Sequence, residues 1–264
     1  MAITTFDGYI ASQKQDIDIV KTAATTSVAG IWFSVFDNAG NPGAGVLAGT
    51  STTAGVVPTD ATAGVPIINA GTGTFYLANV TFSNTVACRM RLYDLLWKGG
   101  AYAFNAAVAL SAQPSYSSRV PGGTDYNDTQ IWLETVTAFT GLQSIAVTYT
   151  NQAGTAGRTT GTVATGVAPT LKRMLQLPLQ AGDTGVQKIE SVTSTVATVG
   201  TFNVLVLRPV TPFLRVRSAN DGDVLGIDRS GLNVIFTDSA LTLLVAADST
   251  STGVPEVGIQ IAVG

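Results

Sequence analysis

The stretch IAVTYTNQAGTAGRTTGTV, residues 145–163, decides the fold. Ile145, Val147 and Tyr149 alternate with Ala146, Thr148 and Thr150. A period of two marks a strand with one buried face, because successive strand side chains point to opposite sides. Asn151–Gly157 then reads as a turn, since Gly and Asn tolerate positive φ. Arg158–Val163 is the returning strand. The unit is a hairpin, and its neighbours repeat the signature.

Downstream, Arg173–Leu179 reads as a strand ended by the turn 180–185. Val186–Val196 and Thr201–Leu207 follow. The second is apolar on both faces (Phe202, Val204, Val206 against Leu205, Leu207), as in a central strand of a sandwich. Phe213–Arg217, Leu232–Thr237, Leu241–Ala246 and Val257–Val263 complete the series. Short strands at close spacing with Gly-rich turns predict a mainly β chain, an antiparallel β-sandwich of jelly-roll type. Upstream, Ala11–Lys21 reads as a short helix, and Gly30–Asp37, Thr74–Phe82 and Ala87–Leu96 as strands. Between them, 38–73 is nearly all Gly, Ala, Thr, Val and Pro, a long loop or loose arm. The Pro, Gly and Ser of Ala112–Asp128 mark a boundary, giving an N-terminal β-rich region over 1–118 and a C-terminal sandwich over 119–264.

The 264 residues contain no His and one Cys, and 12% are charged, against about a quarter in a typical chain. Without His, Ser-His-Asp and Cys-His catalysis are excluded. Cys88, between Val86 and Met90, reads as a small buried hydrophobe; Arg89 and Arg91 are its only basic neighbours. Net charge is −3, and the densest basic steps are Lys172-Arg173 and Arg215/Arg217, so nucleic acid is not an expected partner. Mean hydropathy is +0.32, yet no window approaches the roughly 20 apolar residues of a membrane span. Met1–Gln15 shows no basic region followed by an apolar core, so no secretory signal is expected. Asn79-Val80-Thr81 and Asn127-Asp128-Thr129 read as polar turns. An apolar, charge-poor chain with no membrane segment points to burial of surface in an assembly.

Site chemistry is sparse. Asn220-Asp221-Gly222-Asp223 with Asp228 offers oxygens for calcium. An Asp-Gly hairpin turn accounts for the same residues, and no metal or cofactor is expected. Glu134, within Ile131-Trp132-Leu133-Glu134, and Glu190 are the carboxylates a glycosidase would need. The alternative is that Glu134 points outward or pairs with an Arg such as Arg158. Lys98-Gly99 lacks the rest of a phosphate loop. Trp32, Trp97 and Trp132 read as core, with a carbohydrate platform as the other possibility. No catalytic residue is assigned.

Three stretches carry a resemblance: Arg91–Trp97 (RLYDLLW), 147–158 (VTYTNQAGTAGR) and 177–185 (LPLQAGDTG). They resemble structural proteins of tailed bacteriophages, over most of the chain. The resemblance implies a non-enzymatic virion component assembled in the host cytoplasm. Within that class it implies a capsid decoration, or cement, protein on the outer surface of the major capsid lattice. Such proteins are β-rich and often trimeric, so the implied partners are the major capsid protein and copies of the chain itself. A tail, neck or head-fibre component and a host-glycan-binding module using Trp132 and Glu134 are the alternatives. Flexible apolar segments dock late, which nominates Phe6, Tyr9 and Ile10 in the N-terminal segment and Asn41, Pro42, Val57 and Pro58 in the arm as partner contacts.

Overall fold

The structure is a computed structural model and describes residues 3, 5–69, 71–165, 169–195 and 199–264. It is mainly β. In chain order the strands are β1 (Gln13–Lys21), β2 (Trp32–Ser34), β3 (Gly40–Asn41), β4 (Phe75–Asn84), β5 (Cys88–Ala103), β6 (Ala106–Ala109), β7 (Gln130–Thr137), β8 (Ser144–Asn151), β9 (Arg158–Thr159), β10 (Val163–Ala164), β11 (Met174–Leu177), β12 (Val186–Ser194), β13 (Thr201–Pro209), β14 (Leu214–Val216), β15 (Asp221–Leu225), β16 (Val234–Ile235), β17 (Leu241–Ala247) and β18 (Glu256–Val263). Two short helices accompany them, α1 (Phe6–Ala11) and α2 (Ile227–Ser230).

The chain forms two compact units, each assembled from separated segments. The first comprises 1–46, 59–94 and 209–264. One of its sheets has the order β15-β4-β18-β1-β3, with β16 also on β4. Its second layer is β14, the 88–94 part of β5, β17 and β2, all antiparallel. Ile17, Ile19, Leu77, Val80 and Ile259 from one layer meet Met90, Leu92, Leu243 and Val245 from the other in a single core. Burial of such apolar area is the main favourable term holding the layers together.

The second unit comprises 47–58 and 95–208. One layer is β10-β8-β12-β6, with β9 on β8. The other is β11-β7-β13 with the 95–103 part of β5. Val147, Tyr149, Ile189 and Val192 pack against Ile131, Leu133, Phe202 and Val204. The hairpin of residues 145–163 is present, its turn folded as expected and its return split into β9 and β10. Asp183 clasps that turn to the next one. It accepts from Arg158 Nε at 2.9 Å, Tyr149 Oη at 2.8 Å and Asn151 Nδ2 at 2.8 Å. Charge-assisted hydrogen bonds are the stronger kind, and they hold the Asp183 carboxyl down at about 2, the Arg158 bond contributing most. The resemblance stretches 147–158 and 177–185 thus meet at one clasp.

Several sequence expectations are corrected. Ala11–Lys21 is not a helix: α1 ends at Ala11 and β1 follows. Thr5 starts the helix by accepting from the Gly8 N–H at 3.0 Å. In β1, Ile17 and Ile19 turn inward while Asp16 and Asp18 face out, a period of two. Ala112–Asp128 is no boundary; it lies inside the second unit, and residues 209–264 belong to the first. Asn79-Val80-Thr81 is mid-strand in β4, not a turn. The Asp-Gly turn sits upstream of its expected place: Asn220 takes the left-handed conformation (φ 57°), and Asp221–Leu225 is strand β15. Val196 and Ala70, parts of an expected strand and of the arm, lie outside the described residues.

The 38–73 segment is a long irregular stretch, as expected, but not a loose arm. Residues 47–58 are fastened to the second unit. Asn203 donates to Leu47 O at 2.7 Å and accepts from Gly49 N–H at 2.9 Å. Trp97 Nε1 donates to Ala54 O at 3.1 Å. Val56 and Lys98 exchange backbone bonds, each at 2.9 Å. Arg119, fully buried, donates to the carbonyls of Pro58 and Leu95. This explains the composition: a Cβ on Gly55 (φ +65°) would lie 2.3 Å from Trp97 Cε2, and one on Gly49 would lie 2.7 Å from Gly100 N.

Candidate functional site

The seven nominated contact residues do not form one surface within either unit. Phe6, Tyr9, Ile10, Asn41 and Pro42 belong to the first unit, Val57 and Pro58 to the second. On α1, Phe6 is 65% and Ile10 60% exposed. Tyr9 is half-buried; its hydroxyl donates to Gln260 Oε1 on β18 at 2.7 Å, and Lys14 Nζ lies 4.6 Å from its ring. The helix therefore stands anchored through Tyr9, with two large apolar side chains in solvent. Asn41 is exposed, and Pro42 offers its carbonyl to buried Lys21 Nζ at 3.1 Å. Val57 is half-buried against the second core, and Pro58 is buried.

The sugar-cleaving candidates are interior groups. Glu134 is 2% exposed on β7, with Lys98 Nζ at 3.7 Å and Asn203 Nδ2 donating at 2.8 Å. It neither points outward nor pairs with Arg158, which binds Asp183. Trp132 is buried and its Nε1 donates to Gln130 Oε1 at 3.0 Å. Glu190 accepts from Thr150 Oγ1 at 2.7 Å and from the Gly157 N–H. None of the three presents a free carboxylate or ring to a groove. A buried, hydrogen-bonded ion pair of this kind is structural in character.

Asp221 and Asp223 project from β15, and Asp228 sits on α2. Among the described residues no group of three His, Cys, Asp or Glu is gathered to hold a metal ion. Cys88 is buried, its thiol pushed up chiefly by that burial, with Asn84 Nδ2 at 3.1 Å. Among the described residues no helix is long and apolar enough to cross a membrane.

The first unit also carries a charged surface whose four arginines the sequence reading named in separate pairs without joining them. In β5, Cys88, Met90 and Leu92 face the core, so Arg89 and Arg91 face out. Arg215 on β14 is directly opposite Arg89, and Arg217 continues that face. Arg89 sits over Trp32 at 6.0 Å and Arg91 over Phe213 at 4.7 Å, while Trp32 and Phe213 stack at 5.8 Å. Trp97 and Trp132 are core as expected; Trp32 is half-buried at this surface. A cavity of about 370 Å³ is lined by Arg89, Arg215 and Arg217 with Asp248. The signal was legible: two Arg-x-Arg pairs in strands put all four guanidiniums on one side.

No family model matches the chain, and no curated protein is similar to it. Among solved structures, the VP2 subviral particle of infectious bursal disease virus is 9% identical, with 96% of this chain and 80% of that chain covered and a TM-score of 0.19. T=1 particles derived from the same virus are 10% identical, with 95% and 78% covered and a TM-score of 0.18. Likenesses at these scores carry no argument about fold or role.

Proposed function

We propose that the chain is a non-enzymatic structural protein of a virion, a capsid decoration (cement) protein that binds the outer surface of the major capsid lattice and stabilises the head. The observation that carries this reading is α1, whose Phe6 and Ile10 stand in solvent while Tyr9 fixes the helix to β18. Large exposed apolar side chains on an anchored helix suit docking into a partner groove. The chain's charge-poor composition and its resemblance to tailed-bacteriophage structural proteins support the same reading. So does the burial of Glu134 and Trp132, which takes the best catalytic candidates out of reach of a substrate. The partners are the major capsid protein and copies of the chain itself, with a trimer as the favoured unit. Many weak contacts repeated over a lattice give avidity without a strong single site.

The test is the copy number of the chain in purified particles, measured by quantitative mass spectrometry against the major capsid protein. A ratio near one, or near a simple fraction of it, supports decoration. A ratio of a few per cent would move the chain to the tail, neck or a fibre. Absence from particles would sink the virion role. In particles that carry it, Phe6→Ser with Ile10→Ser is expected to lower occupancy.

A further inference from the structure

The two layers of the first unit present outer faces of opposite charge. On β1, Asp16 and Asp18 are exposed, and Glu256 on β18 continues their face. The one ammonium on this side of β1, Lys14, is occupied by the carbonyls of Tyr9, Ile10 and Ser12. A concavity of about 400 Å³ here is lined by Asp18, Glu256 and Asp223. The other layer carries Arg89, Arg91, Arg215 and Arg217. Among the described residues, none of these four carboxylates and four guanidiniums enters a salt bridge within the chain. Arg89 and Arg215 are direct cross-strand partners, and like charges placed so are destabilising. The arrangement is relieved when carboxylates are brought to it, because guanidinium and carboxylate match in charge and bidentate geometry.

We propose that the basic outer face of the first unit docks the acidic outer face of a second copy of this chain. Phe213, 59% exposed beside Arg91, supplies an apolar contact within the charged field. The two patches are different surfaces that adjoin at Asp223, which also borders Arg215, Arg217 and Arg229, so the contact joins unlike patches. Repeated between copies, it closes as a reciprocal pair or a ring, or runs on as an open stack. The inference rests on the proposed assembly role only in taking a second copy as partner. Particle composition tests that role, and association of the purified chain tests this contact.

The experiment is sedimentation of the purified full chain with two charge-reversed variants, R215E/R217E and D18K/E256K. All substituted residues are exposed, and circular dichroism verifies folding of each. The wild-type chain is expected to self-associate at about 0.1 M salt, and the association to weaken about tenfold or more at about 1 M, where the screening length falls from about 10 Å to about 3 Å. In R215E/R217E the new carboxylates cancel Arg89 and Arg91, and in D18K/E256K the new ammoniums cancel Asp16 and Asp223, so each folded variant keeps one charged face and is expected to stay monomeric. An equimolar mixture is expected to regain association as a one-to-one pair, since each variant supplies the charged face the other lacks. A wild-type chain that is monomeric at both salt levels overturns the proposal. So do variants that associate as the wild type does, or a mixture of folded variants that stays monomeric.

Discussion

In the first unit the outward face of β5 and β14 holds Arg89, Arg91 and Arg215 toward solvent. In the second, the outward face of β7 and β13 holds Glu134 and Asn203, and residues 47–58 are fastened there through Asn203. Both are pleated layers with an apolar inner side. The difference lies in what meets the other side. Water meets it in the first, so period-two alternation survives and charge can accumulate. Chain meets it in the second, so polar groups there must be satisfied internally and β13 is buried from Phe202 through Arg208. A covered sheet face is tied up in stability, whereas an open one remains available for contacts.

The sharpest way to break this comparison is Glu134→Ala. It deprives the buried Lys98 ammonium of its carboxylate and Asn203 of an acceptor, a loss of about 3–5 kcal/mol. Urea denaturation followed through Trp97 and Trp132 fluorescence measures it. A loss below about 1 kcal/mol, the range of exposed pairs, would show that this face is wet. Glu134→Leu with Lys98→Met should recover much of the loss, because an apolar pair of similar volume often replaces a buried ion pair at little cost.

A pair of glycine substitutions compares the units directly. Gly55 in the second unit and Gly30 in the first both have positive φ, +65° and +74°. A Cβ at Gly30 meets nothing within 4 Å, so Gly30→Ala carries only the backbone penalty, about 1 kcal/mol. Gly55→Ala adds a clash with the Trp97 ring, for a total of about 2–4 kcal/mol. Equal losses from the two in thermal or urea titrations would mean that residues 47–58 are not held against Trp97.

The clasp at Asp183 belongs to the second unit alone and gives that unit an acid dependence. Its carboxyl is held at about 2, below the ordinary 3.8, so the folded state binds this proton less readily than the unfolded chain. The stabilisation is fully present above the ordinary value and is lost as pH falls through about 2. Asp183→Asn should cost about 1–3 kcal/mol at neutral pH and flatten the acid limb of the stability curve. An unchanged acid limb in the variant would assign it to other carboxylates.

The same contrast explains what could be read in the sequence. Half-buried strands such as Ile145–Tyr149 are legible because one face is wet, and the pattern 201–207 announces a central strand because both faces are apolar. The fate of residues 47–58 was not legible. Gly, Ala and Thr describe a flexible loop and a closely apposed backbone equally well, and only the partner, Trp97 and Asn203, distinguishes them. The first helix was misplaced because Asp16-Ile17-Asp18-Ile19 is too short a run to separate period two from period 3.6. The division into units was hidden because β5 is one unbroken strand serving both, Cys88–Asp94 in the first and 95–103 in the second. Glu134 and Trp132 stood out as chemistry by type, while their burial depends on contacts distant in the chain.

The smallest expected change in stability falls on the open face, and its sign is what matters. Arg215→Glu replaces a like-charge cross-strand pair with an opposite-charge pair facing Arg89, a gain of about 0.2–1 kcal/mol. Arg217→Glu, exposed and outside any salt bridge among the described residues, should fall within about 0.5 kcal/mol of neutral. The doubly substituted chain is therefore expected to be as stable as the wild type or slightly more so in urea titration of dilute protein. A face that serves internal stability would behave oppositely, as is expected of Glu134. Two Arg-x-Arg pairs on one open face, at a small cost to folding, are what the proposed contact with a second copy would use. A marked destabilisation of R215E/R217E would make these arginines part of the scaffold and erase the distinction between the two faces.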